Sequence, residues 1–327
     1  MQAQVLTEFG GPEKLRLTQV ESPVAGPGQA LVRIRAAALN PVDAKIRGGL
    51  PIGPDMPAIL GADLAGVVEA VGEGVEGISV GDEVYGCAGG VKGHGGTLAQ
   101  YIAADARLLA PKPARLSFRE AAALPLVAIT AWDAMERLSL DAGDHILVHG
   151  GTGGVGHVGI QLAKAAGARV TATVGSEKAA RLAIGLGADD TVDYRNEKVA
   201  DYVARLTAGK GFDAIFDTVG GQNLAASFEA AAIGGRIATT NARVTLDIGA
   251  MHGKALSLHV VFMLLPMLRG QGRERHGAIL RELAACVDAG EVRPLLDERR
   301  FTLDTAADAH RHLGSGRARG KIVVDVD

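Results

Sequence analysis

The second half of the chain alternates short apolar runs with helical patterns. The runs predict strands over residues 145–148, 169–174, 190–193, 214–217, 236–239 and 256–262, with helices over 154–166, 178–186, 199–207 and 223–231. Strands that alternate with helices form βαβ units, whose strands lie parallel. This half is therefore predicted to be an α/β domain with a doubly wound parallel sheet.

The first third of the chain has a different pattern, typical of β structure. Residues 30–36 alternate between apolar and charged side chains, and they follow a segment that contains Pro23, Gly26, Pro27 and Gly28. Alternation with a period of two predicts a half-buried strand, and the prolines and glycines before it predict a turn. We therefore expect a β-rich region ahead of the α/β domain.

Other segments complete the predicted organisation. Residues 118–138 are alanine-rich and helical apart from Pro125, and the apolar run at 260–265 is interpreted as a buried strand. Residues 275–289 carry one apolar stripe at helical spacing. The tail at 321–326 predicts a strand that returns to the N-terminal β region.

A glycine cluster follows the first strand of the α/β half. Gly151, Gly153 and Gly156 have the spacing G-x-G-x-x-G between a predicted strand and a predicted helix. In that setting the first glycine permits a tight turn, the second lets the backbone approach a pyrophosphate, and the third lets the helix lie close to the strand. The phosphates then lie at a helix N-terminus. These residues, with Gly154 and Val155 of the same turn, predict a dinucleotide site.

Composition narrows the functional classes. The chain has 327 residues, 47% of them apolar and 22% charged, with a net charge of −3. A nucleic-acid surface needs a basic face, and a membrane span needs about 18 apolar residues in a row, so neither partner is expected. The N-terminus lacks the basic and apolar regions of a signal peptide. Two distant cysteines, Cys87 and Cys286, favour a reducing cytoplasm.

The order of these elements resembles the medium-chain dehydrogenase/reductase family, and most of all its zinc-free quinone oxidoreductase (zeta-crystallin-like) branch. The motifs that carry the resemblance extend along the whole chain. They are Phe9-Gly-Gly-Pro-Glu13, Ala37-Ala-Leu-Asn-Pro-Val-Asp43, Gly61-Ala-Asp-Leu-Ala-Gly-Val-Val68, Val80-Gly-Asp-Glu-Val84, Ala122-Ala-Leu-Pro125, Ile129-Thr-Ala-Trp132, Gly151-Thr-Gly-Gly-Val-Gly156, Leu186-Gly-Ala-Asp189, Phe216-Asp-Thr-Val-Gly220 and Gly320-Lys-Ile-Val323.

The resemblance implies a split architecture. A GroES-like β-rich catalytic domain would comprise residues 1–118 and 265–327, and a Rossmann NADPH-binding domain would comprise residues 119–264. The active site is then expected in the cleft between the two domains, because open α/β sheets bind ligands beyond the carboxyl ends of their strands.

The resemblance also bears on zinc. Zinc-dependent relatives bind the metal through a Cys, a Gly-His-Glu segment and a later Cys. Here Asn40 stands at the first position, and the segment reads Gly61-Ala62-Asp63. Catalytic zinc needs about three ligands besides water, and Cys87 and His94 are the only local thiol and imidazole. A site from these two residues and Asp63 is the alternative. The expectation is a small buried thiol and a loop histidine, with no metal. Other histidines are expected in the core or lining a cleft (His145, His149, His252, His259) or at the surface (His276, His310, His312).

The end of the second α/β strand indicates which nicotinamide coenzyme binds. An NAD site needs a carboxylate there, about 20 residues past the glycines, to bind the ribose 2′-OH. Val174 and Gly175 occupy that position, followed by Ser176 as a hydroxyl donor and Lys178 as a cation. The missing carboxylate, which would repel a 2′-phosphate, favours NADPH. Glu177 is the contrary feature, but an acid is favoured in the first turn of a helix.

By resemblance, further coenzyme contacts are expected. Related reductases combine a Ser or Thr, a Lys and a downstream Tyr, and Tyr194 with the adjacent Arg195 matches the last position. The other residues implied are Thr130 at the nicotinamide end, Asn241, Phe262 and Met263 along the nicotinamide slot, and Lys321 reaching a phosphate from the other domain.

Without a metal, hydrogen-bond donors must polarise the oxygen of the hydride acceptor. Asn40, through its amide, and Lys45, through its ammonium, are the candidates, with Asp43 orienting its neighbours. Better-known quinone reductases carry tyrosines just after this segment, where this chain has Lys45 and Pro51. A quinone and an α,β-unsaturated carbonyl therefore both stay open as the acceptor.

The predicted function is NADPH-dependent hydride transfer without a metal. The alternatives are a zinc-dependent alcohol dehydrogenase and a non-catalytic nucleotide- or RNA-binding relative. Relatives commonly dimerise through the edge strands of their nucleotide domains, and the apolar segment 256–262 fits such an edge. A cytoplasmic homodimer that acts on a small molecule is therefore expected.

Overall fold

The computed structural model describes residues 1–326 and divides into two compact units. The first unit comprises Met1–Ile129 and the segment from Leu264 onward, and the second comprises Thr130–Met263. The first boundary lies after Ile129 rather than after residue 118 because residues 119–129, which include the start of a longer helix, belong to the β-rich unit. Within that unit, the backbone N–H of Leu126 donates to the Asp63 carboxylate at 2.8 Å.

The first unit begins with a β-rich stretch. Its elements are β1 (Gln2–Leu6), β2 (Leu15–Gln19), β3 (Gln29–Ala38), α1 (Pro41–Arg47), β4 (Ala58–Ile59), β5 (Asp63–Val71), β6 (Glu83–Cys87), β7 (Tyr101–Asp105), β8 (Leu109–Pro111), α2 (Phe118–Ala122) and α3 (Pro125–Leu138), whose later residues lie in the second unit.

The second unit alternates strands and helices as predicted. Its further elements are β9 (His145–His149), α4 (Gly156–Ala165), β10 (Arg169–Val174), α5 (Glu177–Gly185), β11 (Asp190–Asp193), α6 (Val199–Thr207), β12 (Phe212–Asp217), α7 (Asn223–Ala230), β13 (Ala231–Thr239), α8 (Gly249–Lys254) and β14 (Ser257–Val260).

The chain then returns to the first unit. The returning elements are α9 (Leu265–Arg269), α10 (Glu274–Ala289), β15 (Phe301–Thr302), α11 (Ala306–Gly314) and β16 (Val323–Asp325). Strand β16 pairs antiparallel with β3, with Val323 opposite Ala38. The predicted return of the tail to the N-terminal β region is thereby confirmed.

The sheet of the second unit is parallel throughout and doubly wound. Its strand order is β11-β10-β9-β12-β13-β14. The direction of winding reverses between β9 and β12, and open α/β sheets bind ligands at such a switch point, beyond the carboxyl ends of the strands. The predicted α/β fold class is confirmed.

The larger sheet of the first unit is organised around β3. Its order is β15-β16-β3-β5-β6-β8, and β7 pairs with β3 as well. Along β3 the side chains of Ala30, Val32 and Ile34 are fully buried, while those between them are partly exposed. This is the period of two that the sequence pattern predicted. A separate small sheet has the order β2-β1-β4.

Two expectations about individual segments are wrong. The run at 260–265 is not a buried strand: β14 ends at Val260, which is 49% exposed because β14 is an edge strand, and Leu265 is 45% exposed. His276, His310 and His312 are not at the surface either. All three are buried, because they lie on the inward faces of α10 and α11. Among residues 1–326, every helix falls short of the length and hydropathy needed to cross a bilayer.

Candidate functional site

The link between β9 and α4 is a compact glycine turn. Gly150 adopts a φ of +67°, a conformation that favours glycine. A Cβ on Gly156 would lie 2.2 Å from the carbonyl oxygen of Gly150, and one on Gly151 would lie 2.7 Å from the Cβ of Ala172 in β10. Gly156 thus permits close packing, as expected. The tight-turn role assigned to Gly151 belongs instead to Gly150, and Gly151 packs against β10.

A threonine on the neighbouring strand supports this turn. The hydroxyl of Thr173 in β10 accepts a hydrogen bond from the Gly150 N–H at 3.0 Å and lies 3.4 Å from Nδ1 of His149. The hydroxyl oxygen that accepts from Gly150 keeps a second lone pair as well as its own hydrogen, so it can bond Nδ1 of His149 in either neutral tautomer of the ring. Burial lowers the pKa of His149, while the Asp217 charge opposes this, so the ring is neutral.

The Nε2 atom of His149 provides a test of whether a ligand fits here. It is buried and has no hydrogen-bond partner within residues 1–326. A buried polar atom without a partner is costly, so such atoms are usually satisfied by a ligand or an ordered water. This nitrogen lies at the carboxyl end of β9, beside the glycine turn and the helix N-terminus that follows it. The residues present therefore fit a dinucleotide, whose hydroxyl groups donate hydrogen bonds and whose phosphate and sugar oxygens accept them.

The end of β12 carries a buried carboxylate that the sequence analysis treated only as part of a motif. Asp217 accepts hydrogen bonds from the backbone N–H groups of Val219 and Gly220 and from the side chains of Asn223 and Ser227, at 2.8–3.0 Å. It therefore shapes the turn that follows β12, at the switch point of the sheet. Its strand-end position was the signal that could have identified it.

The turn after β12 connects the candidate residues of neighbouring strands. The Thr218 hydroxyl donates to the carbonyl oxygen of His149 at 2.7 Å, and the Gly221 N–H donates to that of Asn241 at 2.9 Å. A Cβ on Gly220 would lie 2.2 Å from the same Asn241 oxygen. The structure thus places Asn241 on the same edge of the sheet as the glycine turn.

The end of β10 has the composition that the coenzyme prediction requires. No carboxylate stands at Val174 or Gly175. A Cβ on Gly175 would lie 3.0 Å from the Tyr194 hydroxyl and 3.2 Å from Nε of Arg195, so glycine admits both side chains. The Arg195 guanidinium lies over the Tyr194 ring, 5.7 Å from its centroid. Ser176 caps α5, accepting from the Ala179 N–H at 3.2 Å.

Two charged residues, Glu177 and Lys178, begin α5 just after the end of β10. Glu177 forms an ion pair with Arg181 one turn along the helix, so its carboxylate has a cationic partner. Lys178 is exposed. The remaining predicted contacts are placed as follows: Thr130 is buried in α3, while Phe262 is 37% exposed and Met263 is buried, just beyond β14. Their contacts with a coenzyme stay predictions.

In the first unit, Asn40 belongs to a buried polar cluster. Its Nδ2 donates to the Asp63 carboxylate at 2.9 Å, and its Oδ1 accepts from the Lys321 ammonium at 2.5 Å. Lys321 also donates to Asp63 at 3.0 Å and to the carbonyl oxygen of Leu39 at 3.0 Å. The three side chains are at most 2% exposed. The sequence pattern indicated Asp63 only as a candidate zinc ligand, and the family resemblance implied a phosphate contact for Lys321.

This placement of Lys321 differs from the phosphate contact that the resemblance implied. An ammonium has three N–H donors, and three acceptors of the same unit surround it here. A phosphate would have to displace one of them. The reason is tertiary: Lys321 lies two residues before β16 and Asn40 two residues after β3, so the antiparallel pairing of β16 with β3 brings the two together.

Asp43 and Lys45 lie on α1, just after Asn40. The Asp43 carboxylate accepts from the backbone N–H of Asn40 at 2.7 Å, which fixes the start of the helix. Burial raises the pKa of Asp43 to about 7; the Asn40 N–H and the Lys321 ammonium oppose this shift, and the Asp63 charge adds to it. Lys45 is exposed.

Comparison with known proteins identifies the family. A family model described as the alcohol dehydrogenase GroES-like domain matches residues 26–114, and one described as zinc-binding dehydrogenase matches residues 186–324. The 2-methylene-furan-3-one reductase of Solanum lycopersicum is 36% identical, over 99% of this chain and 79% of its own length. This chain belongs to the medium-chain dehydrogenase/reductase family. The quinone oxidoreductase of Rattus norvegicus is 31% identical, over 99% of this chain and 97% of its own length, so the chain lies in the quinone oxidoreductase branch, as the sequence motifs predicted.

Solved structures of medium-chain dehydrogenases/reductases share the fold. An alcohol dehydrogenase superfamily protein from Novosphingobium aromaticivorans is 42% identical and superposes with a TM-score of 0.96, covering 100% of both chains. The Escherichia coli quinone oxidoreductase, solved in complex with NADPH, is 27% identical with a TM-score of 0.89, covering 99% of this chain and 100% of its own.

Although one matching family model is described as zinc-binding, the residues of this medium-chain reductase do not fit a zinc ion. The Lys321 ammonium lies between Asn40 and Asp63, where it would repel a metal ion. Among the described residues 1–326, no three His, Cys, Asp or Glu side chains are grouped so that they could hold a metal ion. His94 contacts the carbonyl oxygen of Met267 instead.

Proposed function

We propose that this chain is an NADPH-dependent reductase of quinones or α,β-unsaturated carbonyl compounds that works without a metal. The observation that carries the coenzyme choice is the end of β10. Gly175 stands where NAD-binding domains have a carboxylate, and Ser176, Tyr194 and Arg195 surround that position with donors and a positive charge. The negative charge of a 2′-phosphate is attracted by these donors and this cation, whereas a carboxylate at the same position would repel it.

Bound NADPH supplies a hydride, and the protein supplies orientation and electrostatics. As the hydride adds to the acceptor carbon, an electron pair moves onto the acceptor oxygen. A proton from water then completes the reduction, on that oxygen for a quinone and, through the enol, on the α-carbon for an α,β-unsaturated carbonyl compound. Asn40 and Lys45 are the proposed donors that stabilise this developing negative charge. Asp43 holds the backbone of Asn40. Two observations favour an activated C=C bond as the acceptor. One relative is the 2-methylene-furan-3-one reductase, and this chain has Lys45 and Pro51 where better-known quinone reductases carry tyrosines.

The experiment compares NADPH and NADH in steady-state assays with a panel of enones and quinones. Wild-type protein should prefer NADPH. Arg195→Ala should raise the KM for NADPH about 10-fold and leave that for NADH unchanged, because only NADPH offers a 2′-phosphate to the guanidinium.

Arg205→Ala is the matched control, because Arg205, on α6, is exposed like Arg195 but pairs with Glu197. It should change neither constant. Preference for NADH, equal effects of Arg195→Ala on both coenzymes, or failure to reduce every acceptor would overturn the proposal.

We also infer that the protein forms a homodimer through β14. This strand lies at the edge of the six-stranded sheet and leaves Val260 and the following Phe262 49% and 37% exposed. An apolar edge strand is prone to pair with another chain. Light scattering should give twice the chain mass, and Val260→Lys should halve it. A monomeric wild type would refute the inference.

We propose the cytoplasm as the working compartment. Cys87 and Cys286 are both free thiols, which suits a reducing environment. Fractionation of cells that make the native protein should recover it with cytoplasmic markers; recovery from an oxidising compartment would contradict the proposal.

A further inference from the structure

The side-chain amide of Asn40 lies between two groups of opposite hydrogen-bonding character. The Lys321 ammonium, which can only donate, lies 2.5 Å from Oδ1. The Asp63 carboxylate, which can only accept, lies 2.9 Å from Nδ2. If the amide rotated by 180°, its NH₂ group would face the ammonium and its oxygen would face the carboxylate. Donors would then meet donors and acceptors would meet acceptors, so one orientation is allowed.

The two groups that impose this orientation are themselves held in place. Lys321 has its three N–H donors directed at Asn40, Asp63 and the carbonyl oxygen of Leu39. The second oxygen of Asp63 accepts from the backbone N–H of Leu126 at 2.8 Å. Both side chains are buried, at 2% and 0% exposure. The cluster is therefore rigid, since moving one member would leave a buried charge unpaired.

One N–H of the Asn40 amide remains. Nδ2 carries two hydrogens, and the structure assigns one of them to Asp63. The second points in a single fixed direction, because the first is fixed. A donor whose direction is set before the reaction costs no reorganisation when charge develops on a nearby oxygen.

We propose that Lys321 is a positioning residue for the hydride-transfer reaction: with Asp63, it orients the Asn40 amide so that its second Nδ2–H faces the acceptor oxygen. This inference rests on the proposed function, in which Asn40 is the donor. It gives Lys321 a role other than the phosphate contact that the sequence led us to expect. The two roles differ in which kinetic constant a substitution changes.

The decisive variant replaces both charges together. Lys321→Met alone leaves the Asp63 carboxylate buried and unpaired, so it risks misfolding. Lys321→Met combined with Asp63→Asn removes both charges, and the amide introduced at position 63 tolerates either orientation of Asn40. We expect this charge-neutral pair to keep a cooperative thermal transition. Its kcat for the enone or quinone should fall about 10- to 100-fold, the range known for residues that orient metal ligands by hydrogen bonds.

Coenzyme binding separates the two roles of Lys321. If it positions Asn40, the Kd of NADPH, measured by fluorescence titration, should be unchanged in the charge-neutral pair. If Lys321 instead binds a phosphate, the Kd of NADPH should rise while kcat at saturation stays near wild type. That second result would overturn the inference.

Asn40→Ala tests whether Lys321 acts through Asn40. Two groups that act as one unit are non-additive, so adding Asn40→Ala to the charge-neutral pair should cost little further activity. Full additivity of the two losses would mean that Lys321 and Asp63 act independently of the amide, and the inference would fail.

Hydrogen exchange of the Asn40 side-chain amide tests the orientation of Asn40 without an activity assay, so it can fail or succeed independently of the proposed function. Asn40 is one of four asparagines in the chain, with Asn196, Asn223 and Asn241. ¹⁵N-asparagine labelling, with Asn40→Ala for assignment, therefore resolves its side-chain NH₂. We expect slow hydrogen exchange in the wild type and exchange at least about 10-fold faster in the charge-neutral pair, since protection reflects the bonded state. Equal exchange refutes the orientation; an inactive wild type with a protected amide refutes only the proposed function.

Discussion

At the scale of single residues, burial decides the chemistry of several ionisable groups. His310 is 1% exposed, and neither ring nitrogen has a hydrogen-bond partner within residues 1–326. Burial lowers the pKa of His310 to about 3, and the positive charge of Arg47 adds to the shift. Sequence reasoning placed this histidine at the surface. It failed because a polar residue on a helix gives no signal of the face it occupies.

The lowered pKa of His310 makes stability fall in acid. The unfolded chain binds a proton near pH 6.5 whereas the folded chain does so near pH 3, so stability is lost as the pH falls between those values. From pH 7 to pH 5 the wild type should therefore lose about 2 kcal/mol more than His310→Leu, measured by urea unfolding. His252→Gln, at an exposed position, should behave as the wild type does. Equal pH slopes for His310→Leu and wild type would contradict the prediction.

At the scale of elements, the glycine turn between β9 and α4 shows which structural features the glycine spacing predicts and which it does not. The strand, the helix and the dense packing at Gly156 could all be predicted from spacing. Which glycine makes the tight turn could not be predicted, because either Gly150 or Gly151 can adopt a positive φ. In the structure Gly150 has the positive φ, and Gly151 packs against Ala172.

A methyl group in the glycine turn should be destabilising. In Gly156→Ala the new Cβ would overlap the Gly150 carbonyl oxygen, and that backbone atom cannot rotate away. We expect a loss of about 2 kcal/mol in the free energy of unfolding, typical of overpacking, with weaker NADPH binding. Gly314→Ala is the control: its Cβ, at the end of α11, would meet no atom within 4 Å. A Gly156→Ala variant as stable as Gly314→Ala would disprove the packing role.

At the scale of the whole molecule, the two units differ in how the chain builds them. The second unit is one continuous segment, and its parallel sheet is made of strands close in sequence. The first unit needs both ends of the chain: β16 pairs with β3, and Lys321 provides the positive charge beside Asp63. Removal of the C-terminal segment would leave that carboxylate buried without its partner.

The units should therefore differ when expressed alone. A fragment of residues 125–263, which keeps α3 whole, should unfold cooperatively and bind NADPH, because its core and glycine turn are complete. A fragment of residues 1–129 should lack a cooperative transition by circular dichroism, since its sheet is missing β15 and β16. Cooperative unfolding of the 1–129 fragment would show that the returning segment is dispensable.

The sequence by itself determined the parallel sheet, the glycine turn, the family and the carboxylate-free end of β10. Each of these depends on short motifs whose spacing reports local geometry; the family depends on ten such motifs in order along the chain. Only the tertiary structure decided that Lys321 lies against Asn40, from which it is 281 positions distant, and that His310 is buried. Contacts of that range depend on how the chain closes on itself, and in a single sequence no local pattern records them.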